Sequence, residues 1–167
     1  KVTCLRFATA CGFSPRWRTD LVLNEFVSDA VNEGCLSVLS DGTPWRPMIH
    51  VRDMSRSVIW ALTERSELEE TFLALNVGSS SWNLQVKDLA KAVVETIPDC
   101  SVKWNHEGGP DPRSYRVDFS LFNMLAPRHQ PKYSLHQAID EMATGLRKTP
   151  TLESSQFSTR RLQELRT

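Results

Sequence analysis

The sequence predicts an α/β fold built on an incomplete sheet. Segments with strand character alternate with segments of helical period, and glycine or proline stands at most of the junctions. Only two or three strand–helix units fit into the 167 residues, fewer than a complete doubly wound sheet carries.

Residues 2–8 form an apolar run with β-branched and aromatic members, closed by Gly12 and Pro15, which predicts a buried strand followed by a loop. Thr19 or Asp20 is placed to cap a helix in which Leu21, Val22, Phe26, Val27, Ala30 and Val31 recur with helical spacing, and Gly34 is placed to end it. Residues 36–39 predict a short strand. Asp41-Gly42-Thr43-Pro44 is turn chemistry, residues 48–51 resume an extended course, and Asp53 is the predicted N-cap of a helix through Val58, Ala61 and Leu62. A strand over residues 72–77 stops at Gly78. The clearest helix covers residues 83–97, where Leu84, Val86, Leu89, Ala90, Val93, Val94 and Ile97 gather toward one face before Pro98. Residues 102–104 predict an edge strand and residues 106–112 a loop. Asp118 is placed to cap a short helix reaching Met124, and Ser134 opens the last ordinary helix. From Thr149 the segment TPTLESSQFSTRRLQELRT has little to bury and predicts a loose tail or a surface helix. The chain therefore divides into residues 1–148 and 149–167.

A formal net charge of +0 with 40% hydrophobic residues fits an ordinary globular domain. No global field draws nucleic acid or an anionic membrane, so an anion site must be local, as at Arg16–Arg18 and Arg46–Arg52. No apolar run approaches the roughly 20 residues that span a bilayer, and the opening KVTCLRFATACGF lacks the layout of a secretory signal, which points to the cytoplasm. Cys4, Cys11, Cys35 and Cys100 show no C-x-x-C pairing, and His50, His106, His129 and His136 are scattered. Reduced structural thiols are expected in place of a metal centre or a disulfide framework.

Two stretches, DGTPWRPMIHVRD and PDPRSYRVDFS, each set an arginine amid turn-forming residues, the pattern of a site for a phosphorylated ligand. Asp111, Arg113 and Tyr115 alternate, so an extended backbone directs all three to one face. The blocks LRFATACGFSPR, RTDLVLNEFV, DGTPWRPMIHVRDM, LALNVGSS and DPRSYRVDFS, in that order, resemble the C-terminal half of the extended short-chain dehydrogenases/reductases, the NAD-dependent sugar-nucleotide epimerases and dehydratases. The resemblance implies the C-terminal strands of a Rossmann-type sheet plus a small α/β substrate-binding subdomain. Its ligand is then a nucleotide diphosphate sugar.

On this resemblance Asn24, near a helix start, turns toward the pyrophosphate, and Arg46 grips the phosphates with a planar, permanently charged fork. Thr9 stands where many members carry a second pyrophosphate-binding asparagine, offering one donor in place of two. Asp111 serves sugar or ribose hydroxyls, Arg113 phosphate, and Tyr115 supplies a phenol beside them. Trp45, Phe26 and Trp17 are candidates for a face under the nucleobase, ranked below the arginines. Arg6, inside an apolar strand, reads as structural, and Leu121 replaces a lysine that members often carry.

The other half of such an enzyme holds NAD on a glycine-rich turn and carries a Tyr-x-x-x-Lys pair. Here no two glycines are three apart, and Phe119 and Gln137 stand four residues after Tyr115 and Tyr133. No catalytic residue and no bound cofactor are assigned to this chain alone; NAD is implied for the complete enzyme. The chain is expected to be a fragment of a longer enzyme or the product of a truncated gene, inactive by itself. A Rossmann half supplied separately, or further copies of the chain, would cover the sheet edge at its first strand. A binding-only or regulatory module and an oligomeric relic without catalysis are the competing readings.

Overall fold

The computed structural model describes residues 1–65, 69–104 and 113–149. Strand β1 (Val2–Phe7) is followed after Ala8 by β2 (Thr9–Cys11), so one extended stretch serves two sheets. Parallel pairing joins β1 to β5 (Phe72–Val77), and β2 to β4 (Trp45–His50). An antiparallel strand, β6 (Asn83–Gln85), lies on the far side of β4, and β3 (Cys35–Val38) pairs in parallel with β7 (Ser101–Trp104). The helices are α1 (Val22–Glu33), α2 (Val51–Thr63), α3 (Val86–Thr96), α4 (Ser120–Leu125) and α5 (Leu135–Lys148). The result is mixed α/β with small parallel sheets, a partial Rossmann-like arrangement.

Two apolar cores hold it together. Leu23, Val27, Leu36, Leu89, Val93, Ile139 and Met142 pack α1, α3 and α5 against β3. Ile49, Trp60, Leu75, Val77, Phe119 and Phe122 form the second core around α2, β5 and α4, with Trp60 and Phe122 edge-on at 5.8 Å between centroids. Burial of side chains this large supplies most of the driving force for each cluster.

The element ends show which local signals prevail. Gly34 ends α1 in the left-handed conformation at φ 65°, as the residue order predicts. Ser134 caps α5 with the reciprocal Gln137 bonds of a capping box. Neither Thr19 nor Asp20 caps α1: Leu21 occupies the cap without a side-chain bond, because the Asp20 carboxylate is held by Arg18 at 2.5 and 2.6 Å. Asp53 does not cap α2 either. His50 takes that place, its Nδ1 accepting from Arg52 N–H at 3.2 Å, and Asp53 falls within the first turn. The segment read as one helix over residues 83–97 divides into β6 and α3, because the Gln85–Asp88 capping box starts the helix at Val86. Phe119 stands at the start of α4, while Asp118 accepts from Ser120 N–H and O–H just outside it.

Strand β1 is not the fully buried strand expected. Its residues alternate between exposed and half-buried, with Val2, Cys4 and Arg6 on the open face, and among the described residues it pairs with β5 alone. Arg6 is thus an exposed cation here. Of the 149–167 tail only Thr149 lies within the described residues.

Candidate functional site

A cleft of about 650 Å³ opens between β2, the start of α1, the end of β3, β4 and the segment following residue 112. Each wall follows from a local feature of the chain. The two-residue period of β3 buries Leu36 and Val38 and turns Ser37 outward, and Leu39 and Ser40 extend that rim. Strand β4 brings Arg46, and β2 brings Thr9, from the opposite side. Leu21, Val22, Glu25 and Phe26 present the first turns of α1, while Arg113 and Tyr115 close the remaining side.

Thr9, Arg46, Arg113 and Tyr115, four of the six residues expected to bind substrate, border this one cleft. Asn24 does not line the cleft: it is buried, and its Nδ2 donates to Arg18 carbonyl at 3.0 Å, tying the incoming loop to α1. Asp111 lies outside the described residues. Among the three aromatic candidates Phe26 borders the cleft. Trp17 is buried against Phe13, and the Trp45 ring is covered by the Arg116 guanidinium at 4.8 Å. Ser37, Leu39, Ser40, Asp20 and Glu25 were missed. The strand period in residues 36–39 was the signal for Ser37, whereas Asp20 and Glu25 required the start of α1 to be seen sharing a cleft with β4.

The positive charge is anchored. Arg46 Nη1 donates to the carbonyls of Trp45, at 2.9 Å, and Arg113, at 2.5 Å, so one guanidinium joins the two arginine-bearing segments. Trp45 N–H donates to Ser114 Oγ at 3.0 Å, and Tyr115 N–H to Trp45 carbonyl at 3.3 Å. The segment carrying Arg113 and Tyr115 thus runs beside β4 outside any strand. Asp20 is held below the usual carboxylate range by its Arg18 hydrogen bond, while burial, then Asp29 and Asp20, push Glu25 upward. The cleft combines two cations, hydroxyl groups, a phenol and an apolar floor, with Glu25 and the Arg18-bonded Asp20 carboxylate at its α1 side, an arrangement that offers donors to a polar anion with a flat or apolar end.

Beyond the cleft, His50 is buried where β4 meets α2. Its ring stacks on Tyr133 at 3.9 Å, and Nε2 lies 3.3 Å from Glu141 Oε2 without hydrogen-bond geometry. Gly12, at φ 116°, passes so close that a β-carbon there would meet His50 Nε2 at 2.7 Å. Burial lowers the His50 pKa, opposed by Glu141 and Asp53 and assisted by Arg52. A depressed folded-state value means that the unfolded chain takes up this proton first, so stability is full above the ordinary histidine range near pH 6.5 and falls as pH drops through the folded value. The Nδ1 atom that caps α2 must also give up its acceptor role on protonation. His50→Asn retains a capping acceptor and removes the titration. Between pH 7 and 5 the unfolding free energy of the wild type should fall more steeply than the variant's, by up to about 1.4 kcal/mol per pH unit. Equal slopes in urea titrations would count against this account.

The four cysteines are free, and burial, then Asp53 and Glu141, push the Cys11 thiol up to about 12. Among the described residues no group of three or more His, Cys, Asp or Glu is placed to hold a metal, and no helix is long and apolar enough to cross a membrane.

The model of the NAD dependent epimerase/dehydratase family matches residues 1–78. Similar solved structures include a UDP-Glc/GlcNAc 4-epimerase from Campylobacter jejuni, at 22% identity and TM-score 0.67, over 87% of this chain and 48% of that one. An epimerase from Methanothermobacter thermautotrophicus aligns over 89% of this chain and 44% of its own, at 19% identity and TM-score 0.72. MoeE5, solved in complex with UDP-glucuronic acid and NAD, aligns over 89% and 48%, at 19% identity and TM-score 0.69. The chain spans about half the length of these structures, and the likeness establishes the fold.

Proposed function

We propose that this chain is the nucleotide-sugar-binding, C-terminal portion of an NAD-dependent sugar-nucleotide epimerase or dehydratase, without turnover of its own. One observation carries the reading: Thr9, Arg46, Arg113 and Tyr115, from three separate stretches of the chain, line one cleft, with the Arg46 guanidinium bonded to the Arg113 backbone. Two planar cations at the rim of a partly apolar cleft suit a diphosphate flanked by a base and a sugar. The family match over residues 1–78 and the complex of MoeE5 with UDP-glucuronic acid and NAD support the same ligand class.

NAD would supply hydride transfer in the complete enzyme. None of the described glycines offers the open backbone that a dinucleotide turn needs. The space beside Gly12, Gly42, Gly78 and Gly145 is taken by the chain's own His50, Trp104, Phe119 and Phe13, and Gly34 ends a helix. No step of the reaction is therefore assigned to NAD on this chain, and Tyr115 binds rather than transfers a proton. A Rossmann half carrying the cofactor docks, in this reading, on the open edge of β1, beside Val2 and Phe72, 58% and 63% exposed. Pairing there would satisfy the edge and cover the apolar side chains. The reading places the protein in the cytoplasm, in keeping with its free thiols.

Titration calorimetry of the full chain with UDP-glucose tests the proposal. Saturable heat that weakens with added salt is expected; no heat across nucleoside diphosphate sugars of several bases and sugars would overturn it and leave the assembly reading.

A further inference from the structure

We infer that Asn83 is the positioning residue of the cleft, the side chain that sets the register of the Arg113–Tyr115 segment over β4. The inference rests on the binding role proposed above and adds to it the group on which that role depends. Asn83 begins β6, which pairs with β4 so that Leu84 stands opposite Arg46 and Asn83 opposite Pro47. The ladder ends at this pair, and Pro47 has no N–H to contribute. The Asn83 side chain, 92% buried by its 8% exposure, turns to another partner. Its Nδ2 donates to Val117 carbonyl at 3.0 Å, and its Oδ1 accepts from Val117 N–H at 3.0 Å.

One planar amide thus answers both backbone groups of a single residue, as a neighbouring strand would. Only one orientation of the amide satisfies both bonds, so its donor and acceptor are unambiguous. Val117 lies two residues beyond Tyr115 and four beyond Arg113. Other contacts of this segment include Arg113 carbonyl accepting from Arg46, Ser114 Oγ accepting from Trp45 N–H, Tyr115 N–H donating to Trp45 carbonyl, the Arg116 guanidinium over the Trp45 ring, and Asp118 carbonyl accepting from Asn76 at 3.0 Å. Asn83 holds both backbone groups of one residue where the segment leaves the cleft. An aspartate of the same shape would face Val117 carbonyl with an oxygen, and an alanine would leave both backbone groups without their partner.

The role predicts an effect that works through Arg113. In the full chain, amide exchange at Val117 should accelerate at least tenfold in Asn83→Ala while amides in α3 and α5 keep their protection. Affinity for UDP-glucose by calorimetry should fall about tenfold, the loss expected when a guanidinium is no longer held in place. In the double variant with Arg113→Ala, the loss should fall well short of the sum of the two single losses, because part of what Asn83→Ala costs is the displacement of an arginine already absent. Should Asn83→Ala fail to fold, Asn83→Asp, which keeps the acceptor and lacks the donor, is read by the same cycle. Unchanged exchange at Val117, or losses that simply add, would overturn the positioning role. Failure of the wild-type chain to bind any nucleoside diphosphate sugar overturns the function on which it rests, and the exchange measurement, which needs no ligand, then decides the register claim by itself.

Discussion

Replacing Asp53 by alanine should lower the unfolding free energy by about 2–4 kcal/mol, the largest stability loss expected of a single polar substitution here. The carboxylate is only 2% exposed, yet it lies on α2 facing a different part of the chain. Both of its oxygens accept from Lys132 N–H at 3.1 Å, one also accepts from Tyr133 N–H at 3.2 Å, and Arg56 Nη1 stands 3.2 Å away. Two consecutive backbone donors entering α5 are thereby satisfied by one buried anion. Alanine would leave both N–H groups and the Arg56 cation without it, and bonds to a charged acceptor contribute about 1.5–3 kcal/mol. For a domain of this size the loss corresponds to a fall in Tm of roughly 5–15 °C. Asp53→Asn, keeping one acceptor oxygen, should fall between. A melting shift below about 2 °C for the alanine variant would show that the 132–133 segment is held by other means.

Arg46→Ala should weaken binding of UDP-glucose by roughly 10- to 100-fold, the second large effect. The guanidinium does two jobs: it carries charge into the cleft, and it ties Trp45 carbonyl to Arg113 carbonyl. Arg46→Lys restores the charge as a point and not the planar guanidinium, whose Nη1 reaches both carbonyls while its other nitrogens remain to meet a ligand, so it should recover only part of the affinity. Raising ionic strength should narrow the difference between wild type and variant, since part of the attraction is screened over about 8–10 Å. Arg6→Ala, removing an exposed cation of β1 away from the cleft lining, is the control and should leave affinity unchanged. An Arg46→Ala variant that binds as tightly as the wild type would remove Arg46 from the site.

The cleft was partly legible before the fold was known. Arg46 and Arg113 were found because an arginine set among turn residues cannot be explained by core packing, and Thr9 and Tyr115 came with the family resemblance of their blocks. Asn24 was misplaced because a polar residue near a helix start suits a ligand and a neighbouring loop equally well. The direction of its side chain depends on where residue 18 runs, and its Nδ2 reaches that carbonyl. Asn83 was invisible because its partner lies 34 residues away and is a backbone group. His50 and Asp53 show the same limit at one helix. The cap was expected at Asp53, but α2 begins at Val51, so His50 takes that place and Asp53 serves the entry to α5.

By itself the sequence determined the α/β class, the strand at residues 72–77, the glycine end of α1, the Ser134 cap of α5 and the two arginine-bearing segments. These rest on short-range physics: side-chain period, the permitted backbone angles of glycine, and caps formed within three or four residues. The tertiary structure decided which strands pair, that β1 keeps one face open, that Asn24 turns away from the cleft, that His50 stacks on Tyr133, and that Asn83 and Asp53 fasten distant backbone. These depend on where separate stretches of the chain meet, and no local pattern records that.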